Sequence, residues 1–429
     1  MILFSHPTGN ANAREASRAL SDADLLSEFW TSVCWNQEHF LNRVLPRSVS
    51  AELGRRAFSH IKKGSLHSHP WVEIGRLAAR KFRLLGLLRH EYGRFSTDAV
   101  YRSLDSRVAK RLQDAPHIRA LYAYEDGALA SFRAAKQLGI KTIYELPIGY
   151  WKCYRELIAE EARLQPEWAV TLQGSSDSDE KLQRKDEELA LATDIVVPSE
   201  FVCATLRKAS RIEGRVTVLP YGAPPTTLTK ERSTRDGKLR VLFVGGLSQR
   251  KGLSYLLQGV ARLGSHVELT LIGQRVVECQ PLDAALHVHR WIPSLPHAAL
   301  LQEMSSHDVM VFPTLFEGCA LVVLEAMSQG IPVITTPNAG ASHFVSDGED
   351  GFIVPIRDVE AITERLELLL RDRDRLLAMS RAAMHKAARH SWEQYRQRLV
   401  ATVREALLQD TAVQSEASPS FHSAVCEPC

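Results

Sequence analysis

One stretch constrains this chain more than any other: Phe312 to Gly330, FPTLFEGCALVVLEAMSQG. It opens on the end of an apolar run, Val309-Met310-Val311-Phe312, and Pro313 then interrupts the hydrogen-bond ladder of a strand. A loop from Thr314 to Gly318 carries Glu317. A helix is predicted from about Ala320, carrying Glu325, with Gly330 placed to end it. Val333-Ile334-Thr335-Thr336 reads as the following strand. Strand, loop, helix and strand in this order form a unit of a parallel sheet, and ligands of such sheets sit at the carboxyl ends of the strands.

The predicted helix starts without a usual cap. Gly318, Cys319, Ala320 and Leu321 offer no Ser, Thr, Asp or Asn oxygen to the first backbone N–H groups. Those donors and the helix dipole favour an anion there, and glycine at 318 permits close approach to the backbone. Glu317 precedes the helix, while Glu325 lies on an otherwise apolar one, where a carboxylate needs an internal hydrogen-bond partner or a ligand. A second unit has the same logic. Leu239 to Val244 reads as a strand, followed by Gly245-Gly246-Leu247-Ser248-Gln249-Arg250-Lys251-Gly252 and a helix from about Leu253. The glycines at 245 and 246 admit a ligand to the backbone, and Arg250 with Lys251 can clamp a diphosphate. The plainer alternative is a solvated basic loop.

Glu317-Gly318 through Leu324-Glu325-Ala326-Met327, then Gly330-Ile331-Pro332-Val333, resembles the E-x7-E signature of the family 4 retaining glycosyltransferases. The likeness is close from about Leu239 to Leu377 and looser before that. It implies the α/β fold called GT-B, two Rossmann-like domains facing across a cleft. It also implies sugar transfer from a nucleotide-diphosphate sugar, with retention at the anomeric carbon and no metal or other cofactor. Lys251 matches the family lysine. The family usually has Gly-Arg where this chain has Gly245-Gly246, and Arg250 is the natural substitute for the displaced charge. Glu325 would accept from ribose hydroxyls and Glu317 from sugar hydroxyls. Arg250, Lys251 and the helix start after Gly318 would stabilise the leaving diphosphate. No protein nucleophile is identified, which suits attack by the acceptor on the face that the leaving group departs from. Val197-Pro198-Ser199-Glu200 and Val216 to Ala223 resemble family segments of the first domain, and the backbone of Trp291 to Pro293 resembles a loop that contacts the nucleotide base.

The expected organisation is a first domain over 1–225, a linker over 226–237 and a second domain over 238–390. A C-terminal helix over 391–409 is expected to cross back to the first domain, with an unstructured tail over 410–429. At 429 residues the chain can bury two cores. In the first domain, Ile2-Leu3-Phe4 reads as a strand, the loop to Gly9 and Asn10 as a ligand-contact candidate, and Phe29 to Trp35 as a second strand. Glu145, at the end of the strand Ile140 to Leu146, is expected at the cleft, where family 4 enzymes often carry a histidine that this chain lacks.

The basic stretch 47–94 carries Trp71, Ile74, Leu77, Ala78, Phe82, Leu85 and Leu88 at helical spacing. It reads first as an ordinary amphipathic helix with a solvated basic face, and secondly as a contact with an anionic membrane surface. A lipid-linked acceptor would suit the second reading; a glycan or small-molecule acceptor would not need it. A formal net charge of +3 speaks against a nucleic-acid partner. No apolar run approaches the roughly 20 residues that span a bilayer. Met1 to His6 reads as a strand rather than a signal peptide, and seven scattered cysteines suit reduced thiols, so a cytoplasmic location is expected. Three metal-like motifs read as structural or solvated: His67-x-His69, Asp177-Ser178-Asp179 in a serine-rich loop, and Cys426-x-x-Cys429 beside His422. Two rival functions share the fold: an epimerase or phosphorylase acting on related sugars, and a non-catalytic sugar-nucleotide-binding module.

Overall fold

The computed structural model describes residues 1–35, 56–172, 177–226, 237–341 and 343–413. Two parallel sheets organise it. The first runs through β1 (Ile2–Ser5), β2 (Leu26–Thr31), β3 (Leu66–Ser68), β4 (Ala120–Tyr124), β5 (Lys141–Glu145), β6 (Asp194–Val197) and β7 (Arg215–Val218). The second runs through β8 (Leu239–Val244), β9 (Val267–Ile272), β10 (Arg290–Ile292), β11 (Val309–Phe312), β12 (Val333–Thr335) and β13 (Gly351–Ile353). Their spatial orders are β3-β2-β1-β4-β5-β6-β7 and β10-β9-β8-β11-β12-β13. Strands of a parallel sheet covered by helices on both faces are apolar along their whole length. The central strands β1, β4, β8 and β11 accordingly show no exposed residue.

In each sheet the strand order reverses beside the first strand, between β1 and β4 and between β8 and β11. These are the points where loops diverge and a crevice opens at the carboxyl ends of the strands. The last helix, Trp392–Val413, returns to the first domain and packs on the helix Ala11–Asp22. Arg396 donates to Glu15 at 2.5 Å, and Lys141 donates to the Ala406 carbonyl at 2.5 Å.

Several boundaries differ from expectation. The second strand is Leu26–Thr31, not Phe29 to Trp35, because Ser32 already donates its N–H to the Pro7 carbonyl and leaves the ladder. The basic stretch is not one helix. Its described part holds a 3-10 turn at Lys63–Ser65, β3, a helix Trp71–Lys81 and a short 3-10 turn at Leu85–Leu88, the last two separated where Arg83 turns left-handed at φ 54°. The final helix continues through residues 410–413, past the expected end at 409. Residues 47–55, most of the linker (227–236), and 414–429 with the Cys426-x-x-Cys429 motif lie outside the described residues. Among the described residues no helix is long and apolar enough to cross a membrane.

Candidate active site

The second sheet brings together the two loops singled out in the sequence. They follow β8 and β11, the neighbouring strands at the switch point. The 3-10 turn Gln249–Lys251 is bound to the other loop through its main chain: Leu315 N–H and Thr314 Oγ1 both donate to the Arg250 carbonyl, at 2.9 and 3.1 Å. Gly252 ends this turn at φ +70°, and a Cβ there would meet the Pro313 carbonyl oxygen at 1.9 Å. Only glycine allows the two loops to touch.

This contact places both cations on Glu317. Arg250 Nη1 donates to Glu317 Oε1 at 2.5 Å and to the Phe316 carbonyl at 2.7 Å. Lys251 Nζ donates to the same carboxylate oxygen and lies 5.0 Å from the Phe312 ring centroid. Burial, and then the neighbouring Arg250 charge, pull the Lys251 pKa well below the usual lysine value. Burial also lowers that of Arg250. The Glu317 contact opposes both trends. Two desolvated cations sharing one carboxylate form a site ready for a more highly charged anion.

Gly245 and Gly246 close the end of β8. Gly245 N–H donates to Ile272 O, and a Cβ on Gly273 would meet the Gly245 carbonyl at 1.8 Å. The helix Leu321–Ser328 starts without a side-chain cap, as expected. The Ala320 N–H, one of the donors expected to face an anion, is engaged instead by the Ala339 carbonyl at 3.0 Å. Cys319 and Ala320 are largely buried, and burial pushes the Cys319 thiol pKa up to about 12. Leu321 is half-buried against the core. What approaches Gly318 is the first domain: a Cβ there would lie 1.7 Å from the Pro147 carbonyl oxygen, and Ser199 Oγ donates to Gly318 O at 2.5 Å. Glu325 is paired with His297 Nε2 at 2.9 Å. The loop before His297 leads back to Trp291, whose Nε1 donates to Gly273 O at 2.9 Å.

Of the first-domain expectations, the one for Glu145 is corrected. Glu145 does not reach the cleft: it is 1% exposed, and its oxygens take Asn12 Nδ2 (3.3 Å), Tyr122 (2.6 Å) and Tyr221 (2.8 Å). Burial pushes its pKa up, while the phenol and amide bonds act in the opposite sense. The cause is position: β5 is central, so its last residue ends inside the core. Asn10 is exposed but its side chain caps the helix Ala11–Asp22 by accepting from Ala13 N–H at 3.0 Å. Gly9, at φ +60°, lies against Phe58, and its N–H donates to His6 Nδ1 at 2.7 Å.

The cleft has a different wall, which sequence reasoning missed. A cavity of about 790 Å³ lies between the domains, lined by Trp151, Tyr154, Arg155, Asp177, Lys181, Lys185 and Glu125 from the first and by Arg250 and Phe316 from the second. Asp177, expected in a surface loop, accepts from His90 at 2.9 Å and Lys181 at 3.2 Å, with Lys185 at 3.7 Å. Ligand atoms of His90, Glu91 and Asp177 lie within 4.8 Å of one another, but Glu91 is engaged by the Ser178 N–H at 2.8 Å and Asp177 by the lysines. The one sequence signal was the density of charge on the helix Asp179–Leu191 at i, i+4 spacing. The Trp151–Leu164 helix, which supplies two aromatic walls, carries a sparser set of charges.

Residues 226–391 match the family model described as "Glycosyl transferases group 1". The chain carries a group 1 glycosyl transferase domain. The chain is 31% identical over 217 residues to part of the D-inositol 3-phosphate glycosyltransferase of Corynebacterium urealyticum, covering 44% of this chain and 50% of that protein. The chain thus spans about half the length of this curated relative. The whole fold is similar to sucrose-phosphate synthase from Thermosynechococcus elongatus, with a TM-score of 0.66, 16% identity, and coverage of 95% of this chain and 99% of the other. It is also similar to Anabaena HepE solved with UDP-glucose, at a TM-score of 0.58 and 15% identity over 94% and 99% of the chains. The fold is GT-B, two Rossmann-like domains, and the group 1 domain contributes both cations and both glutamates of the candidate site.

Proposed function

We propose that the protein transfers a sugar from a nucleotide-diphosphate sugar to an acceptor held in the cleft between its domains, with retention and without a metal. The observation that carries this reading is the cluster of Arg250, Lys251 and Glu317, which sits at the sheet switch point and opens through Arg250 into the 790 Å³ cavity. The departing diphosphate gains charge in the transition state, and fixed donors aimed at that charge are the largest catalytic lever. Arg250 and Lys251 serve this purpose here. Glu317 holds both cations before the donor arrives, and a carboxylate has lone pairs enough to accept from sugar hydroxyls as well. Glu325 accepts from the ribose, displacing His297.

The test is thermal stabilisation by uridine, guanosine and adenosine diphosphates and their common sugars. One of them at 100 times its dissociation constant is expected to add about 2.7 kcal/mol of stability. Glu325→Ala is expected to remove most of that gain without lowering the stability of the ligand-free protein. Absence of any shift across the panel would overturn the donor assignment.

The acceptor is proposed to be lipid-linked and reached from an anionic membrane. Trp71, Phe82 and Leu85 are 73%, 69% and 72% exposed, an arrangement that a soluble surface disfavours. Arg80, Lys81, Arg83 and Arg89 are exposed among them. Apolar anchors interleaved with cations fit an anionic bilayer. His90, at the end of this segment, lines the cleft cavity. Sedimentation with phosphatidylglycerol vesicles is expected, with loss in Phe82→Glu/Leu85→Glu and little binding to phosphatidylcholine. Equal sedimentation of the variant and the parent would contradict the assignment.

A further inference from the structure

We infer that Glu161 is a positioning residue through which closure of the two domains sets the diphosphate clamp; this rests on the reading of Arg250 and Lys251 given above. Glu161 belongs to the first domain, on the helix Trp151–Leu164, and is fully buried. A buried carboxylate is costly unless its hydrogen bonds are complete. Its side-chain partners come from the second domain. Oε1 accepts from Gln249 Nε2 at 2.7 Å and from Tyr255 OH at 2.8 Å, and Oε2 accepts from Arg357 Nε at 2.8 Å. Arg357 adopts φ 68°, a conformation costly for a non-glycine residue, and also donates to Glu160 at 2.9 Å.

Gln249 makes this contact consequential. It directly precedes Arg250 and Lys251 in one 3-10 turn and has no exposed surface. Its Oε1 accepts from Ser254 N–H at 3.1 Å and its Nε2 donates to Ser254 Oγ at 2.6 Å, which fixes the turn on the following helix. The first domain holds Gln249 a second time, through its backbone: the N–H donates to Thr171 Oγ1 at 2.9 Å. The residue next to the clamp is therefore gripped by the first domain at both side chain and main chain. When the domains separate, Glu161 and Thr171 leave together. The turn then keeps only its own-domain contacts, and the two cations lose their fixed aim. Closure over the acceptor and alignment of the clamp on the diphosphate become one event.

The experiment uses the full chain. Hydrogen exchange of the backbone amides over 249–252 is expected to be roughly tenfold faster or more in Glu161→Ala, with Glu161→Gln intermediate, because opening of that turn is what Glu161 opposes. Unchanged exchange in both variants would overturn the inference. With a turned-over donor in hand, Glu161→Gln and Gln249→Ala are each expected to lower kcat about tenfold or more, with donor affinity by calorimetry changed less than about threefold. The double variant is expected to be no slower than the slower single one, since the two residues act through one contact. Full kcat in a folded Glu161→Gln protein, or losses that multiply in the double variant, would overturn the inference. A parent protein inactive toward every sugar nucleotide would defeat the donor reading instead, and the exchange result would still decide the role of Glu161.

Discussion

Lys251→Ala is expected to lower turnover at saturating donor by roughly 10²–10³, the range found when one fixed donor to a developing anion is removed. The expectation follows from burial. Lys251 is 13% exposed at its side chain, sits over the Phe312 ring and shares Glu317 with Arg250, so water cannot replace its charge at short range. A sign follows for pH as well. Burial and Arg250 lower the Lys251 pKa, and the proposed diphosphate clamp needs the protonated form. Turnover is therefore full below that pKa and declines as pH rises through it. Glu317→Gln removes the carboxylate that holds Lys251 and is expected to shift this alkaline decline to lower pH. Steady-state rates over pH for the parent, Lys251→Ala and Glu317→Gln check both points. An unchanged rate in Lys251→Ala would remove the lysine from the mechanism.

The second large effect is expected from a single methyl group. Gly318→Ala places a Cβ 1.7 Å from the Pro147 carbonyl oxygen and 3.0 Å from Ile148 Cα, across the domain boundary. Backbone atoms on both sides cannot yield as a flexible side chain would, so the domains must move apart and the Ser199 bond to Gly318 must lengthen or break. Misplacement by about 1 Å costs roughly 10² in rate. Turnover is expected to fall by that order while stabilisation by nucleotide, a property of the second domain, persists. Loss of nucleotide binding together with turnover would show that Gly318 serves the donor directly, as the sequence alone suggested.

The contrast between the two domains shows what a sequence discloses. Strands β8 and β11 were legible to the residue because each is a largely apolar run that ends at Gly or Pro, and the loops after them carried their chemistry in consecutive residues. The proximity of Lys251 and Glu317 followed from the fold family, not from spacing. In the first domain the same style of reasoning failed at Glu145. A carboxylate at a strand end reads as a cleft group, yet its partners Asn12, Tyr122 and Tyr221 are scattered over 209 positions of chain, and nothing local announces them. Glu161 was invisible for the same reason: its partners lie 88 to 196 residues away. The exposure of Trp71, Phe82 and Leu85 also escaped the sequence, since helical spacing predicts an apolar face but not whether another element covers it.

Three readings of the site remain distinct in chemistry: sugar transfer, isomerisation of a sugar nucleotide, and binding without turnover. The proposed diphosphate clamp of Arg250 and Lys251 favours the first. The decisive measurement is product analysis after incubating the protein with the stabilising sugar nucleotide and a detergent-dispersed lipid-linked saccharide fraction, with excess chelator present. Free nucleoside diphosphate is expected in equal amount to sugar newly attached to the lipid-linked acceptor with retained anomeric configuration, with loss of both in Lys251→Ala. Recovery of an isomerised sugar nucleotide, or of the donor unchanged, would contradict it.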